Sequence, residues 1–187
     1  MLSVIIATQD SERALVPTLA ALVPGATSGI VSEVLLADGG SEDETAAVAD
    51  IAGCEFKLIE GRLGRRLRTA AAAARAPWLM FLEPGVVLDT PWTAEIGRFI
   101  QEPARAVQAG VFRRGGPSQA SWREVVSLVA AALGALPRPE QGLVISKQFY
   151  ESLGGHSEEA ADPERALLRR IGRRRRVMLS TAAFGPD

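Results

Sequence analysis

The residues Val34-Leu35-Leu36-Ala37-Asp38-Gly39-Gly40-Ser41-Glu42-Asp43-Glu44-Thr45 set a carboxylate at the end of an apolar run, followed by a glycine turn and a polar segment. An apolar run bounded by turn residues predicts a strand buried in a parallel sheet. Ser41 with Glu44 three residues on forms a capping box, which predicts a helix starting there. Gly39 and Gly40 permit a sharp turn that brings backbone N–H groups close to a ligand. Asp38 then lies in the crevice beyond the strand ends, where open α/β sheets bind ligands. A carboxylate in that place accepts hydrogen bonds from a ribose hydroxyl or a base N–H, or it caps its own turn. The sequence leaves both readings open.

A second cluster able to do chemistry is cationic. Gly61-Arg62-Leu63-Gly64-Arg65-Arg66-Leu67-Arg68 leads into an alanine-rich helix that stops before Pro77. Arg65 and Arg68 lie three apart, on one helical face near its start. Cations at a helix N-terminus oppose the helix dipole and cost stability unless an anion is bound. The other reading is a solvated basic loop. Next, Trp78-Leu79-Met80-Phe81-Leu82 predicts the most strongly buried strand, ending at Glu83-Pro84-Gly85, so a second acidic strand end is brought beside the first.

The elements that must position these groups alternate between strand and helix. Leu2 to Ala7 reads as a first strand, ending in the polar turn Thr8-Gln9-Asp10-Ser11. A helix follows, with Pro17 in its first turn, Leu19, Leu22 and Val23 on one face, and an end at Pro24-Gly25. The Asp38 unit comes next, its helix carrying Ala46, Val48, Ala49 and Ile51 and ending near Gly53. Phe56 to Ile59 is a short third strand. Further on, Pro91 to Ile100 reads as a helix, Ala106 to Phe112 as a strand and Arg113 to Gln119 as a loop. Ser121 to Leu136 reads as a helix, Pro137 to Gly142 as a loop, Leu143 to Ile145 as a strand and Lys147 to Leu153 as a helix. After the turn Gly154-Gly155-His156 come an acidic loop from Glu158 to Glu164, a helix from Arg165 to Ile171 and a last strand from Val177. Alternation of this kind predicts an α/β sheet, mostly parallel, with right-handed crossovers.

The 187 residues suit one domain. A net charge of −1 gives no global case for binding nucleic acid or a membrane. The run Arg173-Arg174-Arg175-Arg176 is a local exception, able to contact anionic lipid or phosphate, although such runs are more often solvated helix ends. The lone Cys54 excludes an intrachain disulfide and suits a small core residue in a reducing compartment. No charged segment precedes the first apolar run, and the longest apolar stretch, Val125 to Leu136, is well short of the roughly 20 residues that span a bilayer. A cytoplasmic protein is expected. A dinucleotide-dependent oxidoreductase is disfavoured, because Ala7 to Glu12 lacks the glycine fingerprint after the first strand.

The order of these motifs resembles family 2 glycosyltransferases of the GT-A fold, and more narrowly a small bacterial branch, the radical-SAM/selenodomain-associated glycosyltransferases. The likeness covers nearly the whole chain. Ser3 to Thr8 is similar to the family's first strand, and Ala37 to Thr45 to its nucleotide-binding strand end. Arg65-Arg66-Leu67-Arg68 falls where the family has an arginine-containing segment ending in asparagine. Pro139-Glu140-Gln141-Gly142 resembles a Gly-Asp-Gln element, and Phe149 to Gly155 resembles the turn before the catalytic acid. The metal motif, Asp-x-Asp or His-Ala-Asp in the family, reads Glu83-Pro84-Gly85 here, and the Glu-Asp pair that carries the base reads Pro163-Glu164.

The resemblance implies a single GT-A domain over residues 1–187, an open twisted sheet flanked by helices, with a nucleotide-binding half at 1–89 and an acceptor and catalytic half at 90–187. It implies a nucleotide-diphospho-sugar donor, an unidentified acceptor and inverting transfer. Thr8, Asp38, Gly39, Gly40, Arg65, Arg68 and Glu83 would hold the nucleotide. Glu164 would be the base, with Asp162 and Glu140 as rivals. A magnesium or manganese ion would have Glu83 as its lone carboxylate, since glycine at 85 offers no side-chain oxygen. Arg62, Arg65 and Arg68 offer a substitute for the metal, because guanidinium pairs well with phosphate oxygens. The other functional reading is a non-catalytic sugar-nucleotide-binding or interaction protein that has lost activity.

Overall fold

Strand β1, Leu2–Thr8, is buried on both faces, as its unbroken apolar run requires. The computed structural model describes residues 1–115, 137 and 141–185. β2 (Val31–Asp38) pairs in parallel with β1, Thr8 standing opposite Asp38, and β4 (Trp78–Leu82) pairs in parallel on the other side, Ile6 opposite Leu82. β3 (Glu55–Leu58) adds a parallel edge to β2. The connecting helices are α1 (Glu12–Thr27), α2 (Thr45–Ile51) and α3 (Leu63–Ala73). Parallel pairing therefore delivers Thr8, Asp38 and Leu82 to one rim of the sheet.

The second half comprises β5 (Val87–Leu88), α4 (Trp92–Gln101), a 3-10 turn (Pro103–Val107), β6 (Ala109–Arg114), β7 (Leu143–Ser146), α5 (Lys147–Ser152), α6 (Pro163–Ile171) and β8 (Arg176–Phe184). The strand order is β3-β2-β1-β4-β7-β6-β8-β5. β7 is antiparallel to both β4 and β6, β8 runs parallel to β6, and β5 is antiparallel to β8. The expected parallel sheet holds from β3 to β4; beyond β4 it is mixed.

Alternate residues of β1 feed two cores. Val4 and Ile6 pack with Leu15, Leu22, Trp92 and Ile96 under α1 and α4. Ile5 packs with Leu67, Ala70, Leu79, Phe149 and Leu167 under α3, α5 and α6. Each fully buried leucine or isoleucine contributes roughly 1.5–3 kcal/mol over leaving it exposed. Cys54 packs at the margin of the first core, and burial pushes its thiol pKa up, so it behaves as a small core residue.

The first helix differs most from expectation. It begins at Glu12 and continues through Pro17 and Pro24 to Thr27. Both prolines are exposed, so the carbonyls of Arg13 and Ala20, four residues before them, meet solvent in place of an amide donor. Gly25 is a packing position and not a stop: a Cβ there would come within 2.3 Å of the Trp92 ring. The buried face is Leu15, Thr18, Leu22 and Gly25, while Val23 is exposed. Elsewhere, Ala106 and Val107 belong to the 3-10 turn and the strand starts at Ala109, while Arg113 and Arg114, expected in a loop, extend β6. The Ser121–Leu136 helix, residues 116–119 of the expected Arg113–Gln119 loop, Pro139 and Glu140 lie outside the described residues.

Candidate active site

Asp38 is buried at the end of β2, and its hydrogen-bond partners offset the cost of burying it. One carboxylate oxygen accepts from the hydroxyls of Thr8 (2.8 Å) and Ser41 (2.5 Å); the other accepts from the backbone N–H groups of Gly40 and Ser41, each at 2.8 Å. Burial alone would raise its pKa, but these donors outweigh it and hold the carboxyl below the usual range. A carboxylate offers about four acceptor positions, and here the chain itself takes them. The turn-capping reading therefore describes its observed contacts.

The predicted capping box does not form, because Ser41 is spent on Asp38. Helix α2 starts at Thr45 instead, where Asp43 accepts from the Thr45 N–H (3.0 Å) and hydroxyl (2.5 Å). The loops after β1 and β2 are laced together: Asp10 N–H donates to Ser41 Oγ (2.9 Å), and Glu42 N–H to Asp10 Oδ1 (2.8 Å). Ser11 N–H donates to Thr45 Oγ1 (2.9 Å) and Glu12 N–H to Asp43 Oδ2 (3.0 Å). Asp10 is held at a left-handed φ of 47°, a strained conformation for a residue with a Cβ. These bonds tie the two loops together at the rim.

The arginine that reaches this rim is Arg66, not Arg65 or Arg68. Its Nη1 donates to the Thr8 carbonyl (2.7 Å), and a Cβ on Gly39 would come within 2.4 Å of the same nitrogen, so Gly39 is the residue that admits the guanidinium. Burial pulls the Arg66 pKa down and the charge of Asp38 pushes it up; its buried Nε has no hydrogen-bond partner among the described residues. Arg65 is exposed, folding over Gly61, and Arg68 is exposed beside Glu158 at 3.6 Å. The signal that finds Arg66 is the helix register. Leu67, Ala70 and Ala71 pack into the second core and Gly64 is buried against the Ser157 carbonyl, which places position 66 at the flank of the buried stripe and position 65 opposite it.

A cleft of about 360 Å³ opens beside this rim. Ala7, Asp10 and Ser11 line it from the end of β1, Leu63 and Leu67 from α3, Glu83 and Pro84 from the end of β4, and Glu164 from α6. Glu164 thus joins Glu83 at one opening, although their positions are far apart in the sequence. It sits in the first turn of α6, which starts at Pro163 and not at Arg165. Burial, with the charges of Glu83 and Asp162 added, pushes its carboxyl up to about 8. Asp162 is the helix cap: its Oδ1 accepts the Arg165 N–H at 2.8 Å and its Oδ2 lies 3.2 Å from Arg165 Nε. Glu140, the remaining candidate base, lies outside the described residues. The neighbouring Gln141 is buried and donates from Nε2 to the Phe112 carbonyl (2.9 Å).

The end of β4 is poorly equipped to hold a cation by itself. Gly85 has no side-chain oxygen, and its N–H is directed to the Ala14 carbonyl and Thr18 hydroxyl, both at 2.9 Å. No group of three histidine, cysteine or acidic side chains suited to a metal occurs among the described residues. From the end of β4 itself, a divalent ion would meet one carboxylate, that of Glu83.

His156, expected only as part of a turn, is buried beneath the cleft. Its Nδ1 lies 2.9 Å from the Tyr150 hydroxyl, which also accepts the His156 backbone N–H at 3.0 Å. Burial, with Arg170 nearby, drives the imidazole pKa down to about 3, so the ring is neutral. The Arg173–Arg176 run forms a 3-10 turn and the start of β8, with the Arg175 guanidinium 5.5 Å from the Phe149 ring centre. Among the described residues, no helix is long and apolar enough to cross a membrane.

Comparisons with known proteins agree with this architecture. The sequence profile of Glycosyl transferase family 2 matches residues 3–153. No curated protein sequence matches significantly. Among solved structures, a fragment of S. aureus TarS superposes with a TM-score of 0.74 at 15% identity, covering 99% of this chain and 60% of the fragment. The same TarS fragment in complex with UDP-GlcNAc gives 0.74 at 14% identity, covering 100% of this chain and 58% of the fragment. Glucosyl-3-phosphoglycerate synthase from Mycobacterium tuberculosis, in complex with manganese, UDP and glucosyl-3-phosphoglycerate, gives 0.69 at 18% identity, covering 97% of this chain and 71% of the enzyme. The chain therefore spans about 60% of the TarS fragment it resembles. At these identities the solved structures establish the fold, which is the GT-A fold.

Proposed function

Because the chain belongs to glycosyl transferase family 2, we propose that it transfers a sugar from a nucleotide-diphospho-sugar donor to an acceptor hydroxyl, with Glu164 as the base. The observation that carries this reading is the position of Glu164: a carboxylate lining the strand-end cleft, facing the same opening as Glu83 and the Asp10-Ser11 turn. The step is a single displacement. Ionised Glu164 takes the proton of the acceptor hydroxyl, the hydroxyl oxygen bonds to the anomeric carbon, and the bond to the diphosphate breaks on the opposite face, inverting the configuration. The nucleoside diphosphate leaves with the electron pair. Its charge needs neutralising, and Arg66, whose guanidinium reaches the rim, is the cation we assign to that task. Asp38, Gly39 and Gly40 serve the nucleotide by shaping the turn and presenting backbone, and Thr8 by fixing Arg66.

Uridine nucleotides are the first donors to try, since TarS and the glucosyl-3-phosphoglycerate synthase are both seen with them. The test combines calorimetry of UDP-GlcNAc and UDP-glucose, in manganese and in EDTA, with an assay of donor hydrolysis. The reading expects saturable binding that persists in EDTA, and hydrolysis that Glu164→Gln abolishes. Binding without turnover in either the wild-type chain or its variants would favour the second reading, a sugar-nucleotide-binding protein, to which the single carboxylate at the end of β4 also points.

A further inference from the structure

The geometry below the cleft assigns a role to His156. Tyr150 Oη accepts the backbone N–H of His156 and lies 2.9 Å from its Nδ1, and the phenol makes no other hydrogen bond among the described residues. A phenol has one hydrogen to donate. Were Nδ1 protonated, that buried hydrogen would have no acceptor, so Tyr150 donates to Nδ1 and the imidazole carries its proton on Nε2. The conformation that permits this comes from the glycine turn: Gly154 and Gly155 both have positive φ, at 80° and 64°, and bring the chain back over α5 so that His156 meets Tyr150.

The same turn is tied to the helix that carries Glu164. Arg170 of α6 donates from Nη1 to the Leu153 carbonyl and from Nη2 to the Gly155 carbonyl, each at 2.5 Å. The Phe81 ring meets the imidazole edge to face, with centroids 4.8 Å apart. Between these parts lies a void of about 20 Å³, lined by His156 and Glu164 and otherwise by Phe81, Val111, Leu143 and Leu168 together with Pro137 and Gly142. That volume holds one water molecule. The other side chains lining this pocket are apolar, so His156 and Glu164 are the polar side chains that share it, within reach of each other directly or through that water.

We propose that His156 is a positioning residue for Glu164: its Nε2–H, fixed in that tautomer by Tyr150, is aimed into the shared void and holds the Glu164 carboxyl group in place beside the cleft. The neutral ring suits this, since it offers one donor whose direction does not change as Glu164 ionises. The catalytic consequence rests on Glu164 being the base; the contact itself does not.

The chain contains one histidine, so its imidazole signals need no assignment in a ¹⁵N-labelled sample of the full chain. Long-range ¹H–¹⁵N spectra at neutral pH are expected to show Nε2 protonated and Nδ1 as an acceptor. Glu164→Gln, which preserves size, is expected to shift the Nε2 and Hε2 resonances, and Tyr150→Phe to mix the tautomers. Donor hydrolysis supplies a second readout: His156→Phe lowers kcat by about 10- to 100-fold with an unchanged donor Kd, and His156→Gln, which restores an N–H donor, recovers part of the loss. A ring protonated on Nδ1, or Nε2 signals indifferent to Glu164→Gln, overturns the proposal. Failure of the base assignment is seen separately, as undiminished hydrolysis in Glu164→Gln.

Discussion

Two carboxylates stand on the same side of this sheet and are treated in opposite ways. Asp38 is the more deeply buried, yet two hydroxyls and two backbone N–H groups hold it ionised. Glu164 is half-buried at the cleft, with Glu83 and Asp162 as acidic neighbours, and is held neutral up to a pH of about 8. Groups pushed apart in this way are suited to different tasks. Saturated with donors, Asp38 organises the turn; Glu164, buried beside two other carboxylates, keeps the proton-accepting capacity that chemistry needs.

The sharpest way to break this comparison is to exchange charge for an amide at the cleft. Glu164→Gln is expected to lower kcat for donor turnover by about 10²–10⁴-fold while leaving donor Kd within about twofold, because general-base catalysis is worth that much and the amide fills the same space. Calorimetry and a hydrolysis assay on one preparation decide it. The corresponding change at Asp38 should act on folding: Asp38→Ala leaves buried donors unpaired, and we expect a loss of about 1–3 kcal/mol in urea denaturation. An unchanged midpoint would show that the turn stands without its carboxylate.

Smaller effects distinguish the arginines. Arg66→Ala is expected to weaken UDP binding by about 10- to 100-fold, the usual value of a charge-assisted hydrogen bond. Arg65→Ala should change it by less than about twofold, since that side chain is exposed, and exposed charges are screened by solvent. Equal losses in the two variants would restore the arginines as an undifferentiated basic segment. The stability dependence on pH should also differ in sign between the two carboxylates. The lowered pKa of Asp38 stabilises the fold at neutral pH, and that contribution is lost as pH falls through its folded value. The raised pKa of Glu164 stabilises the fold in acid, and its contribution is lost as pH rises from about 4.5 to about 8. Denaturation of Glu164→Gln should therefore lack this decline between about pH 4.5 and 8.

Much of the first half was legible because its signals are local. The apolar runs of β1, β2 and β4 and the breaks after them specify buried parallel strands, and the family resemblance is matched by the profile over residues 3–153. The partners of polar residues were less legible. Ser41 suits a helix cap by spacing, but a buried carboxylate two residues before the turn's end is the stronger acceptor and takes it. Pro17 and Pro24 read as helix punctuation, whereas their exposed positions let α1 pass through them. Arg65 and Arg68 share a spacing, but Leu67 and Gly64 decide which arginine reaches the rim. His156 carries no motif in the chain; only the return of the Gly154-Gly155 turn over Tyr150 gives it a role. Each of these depends on contacts distant in sequence, which periodicity does not report.

The most direct test of the contrast between the two carboxylates is the pH dependence of kcat/KM for sugar-nucleotide turnover. Turnover requires the ionised form of Glu164, whose carboxyl titrates at about 8, so the rate should rise tenfold per pH unit below that value and level off above it. In Glu164→Gln the residual rate should show no such limb. A wild-type profile that is flat between about pH 6 and 9, or a limb that survives in Glu164→Gln, would place the base elsewhere and contradict the assignment of chemistry to Glu164.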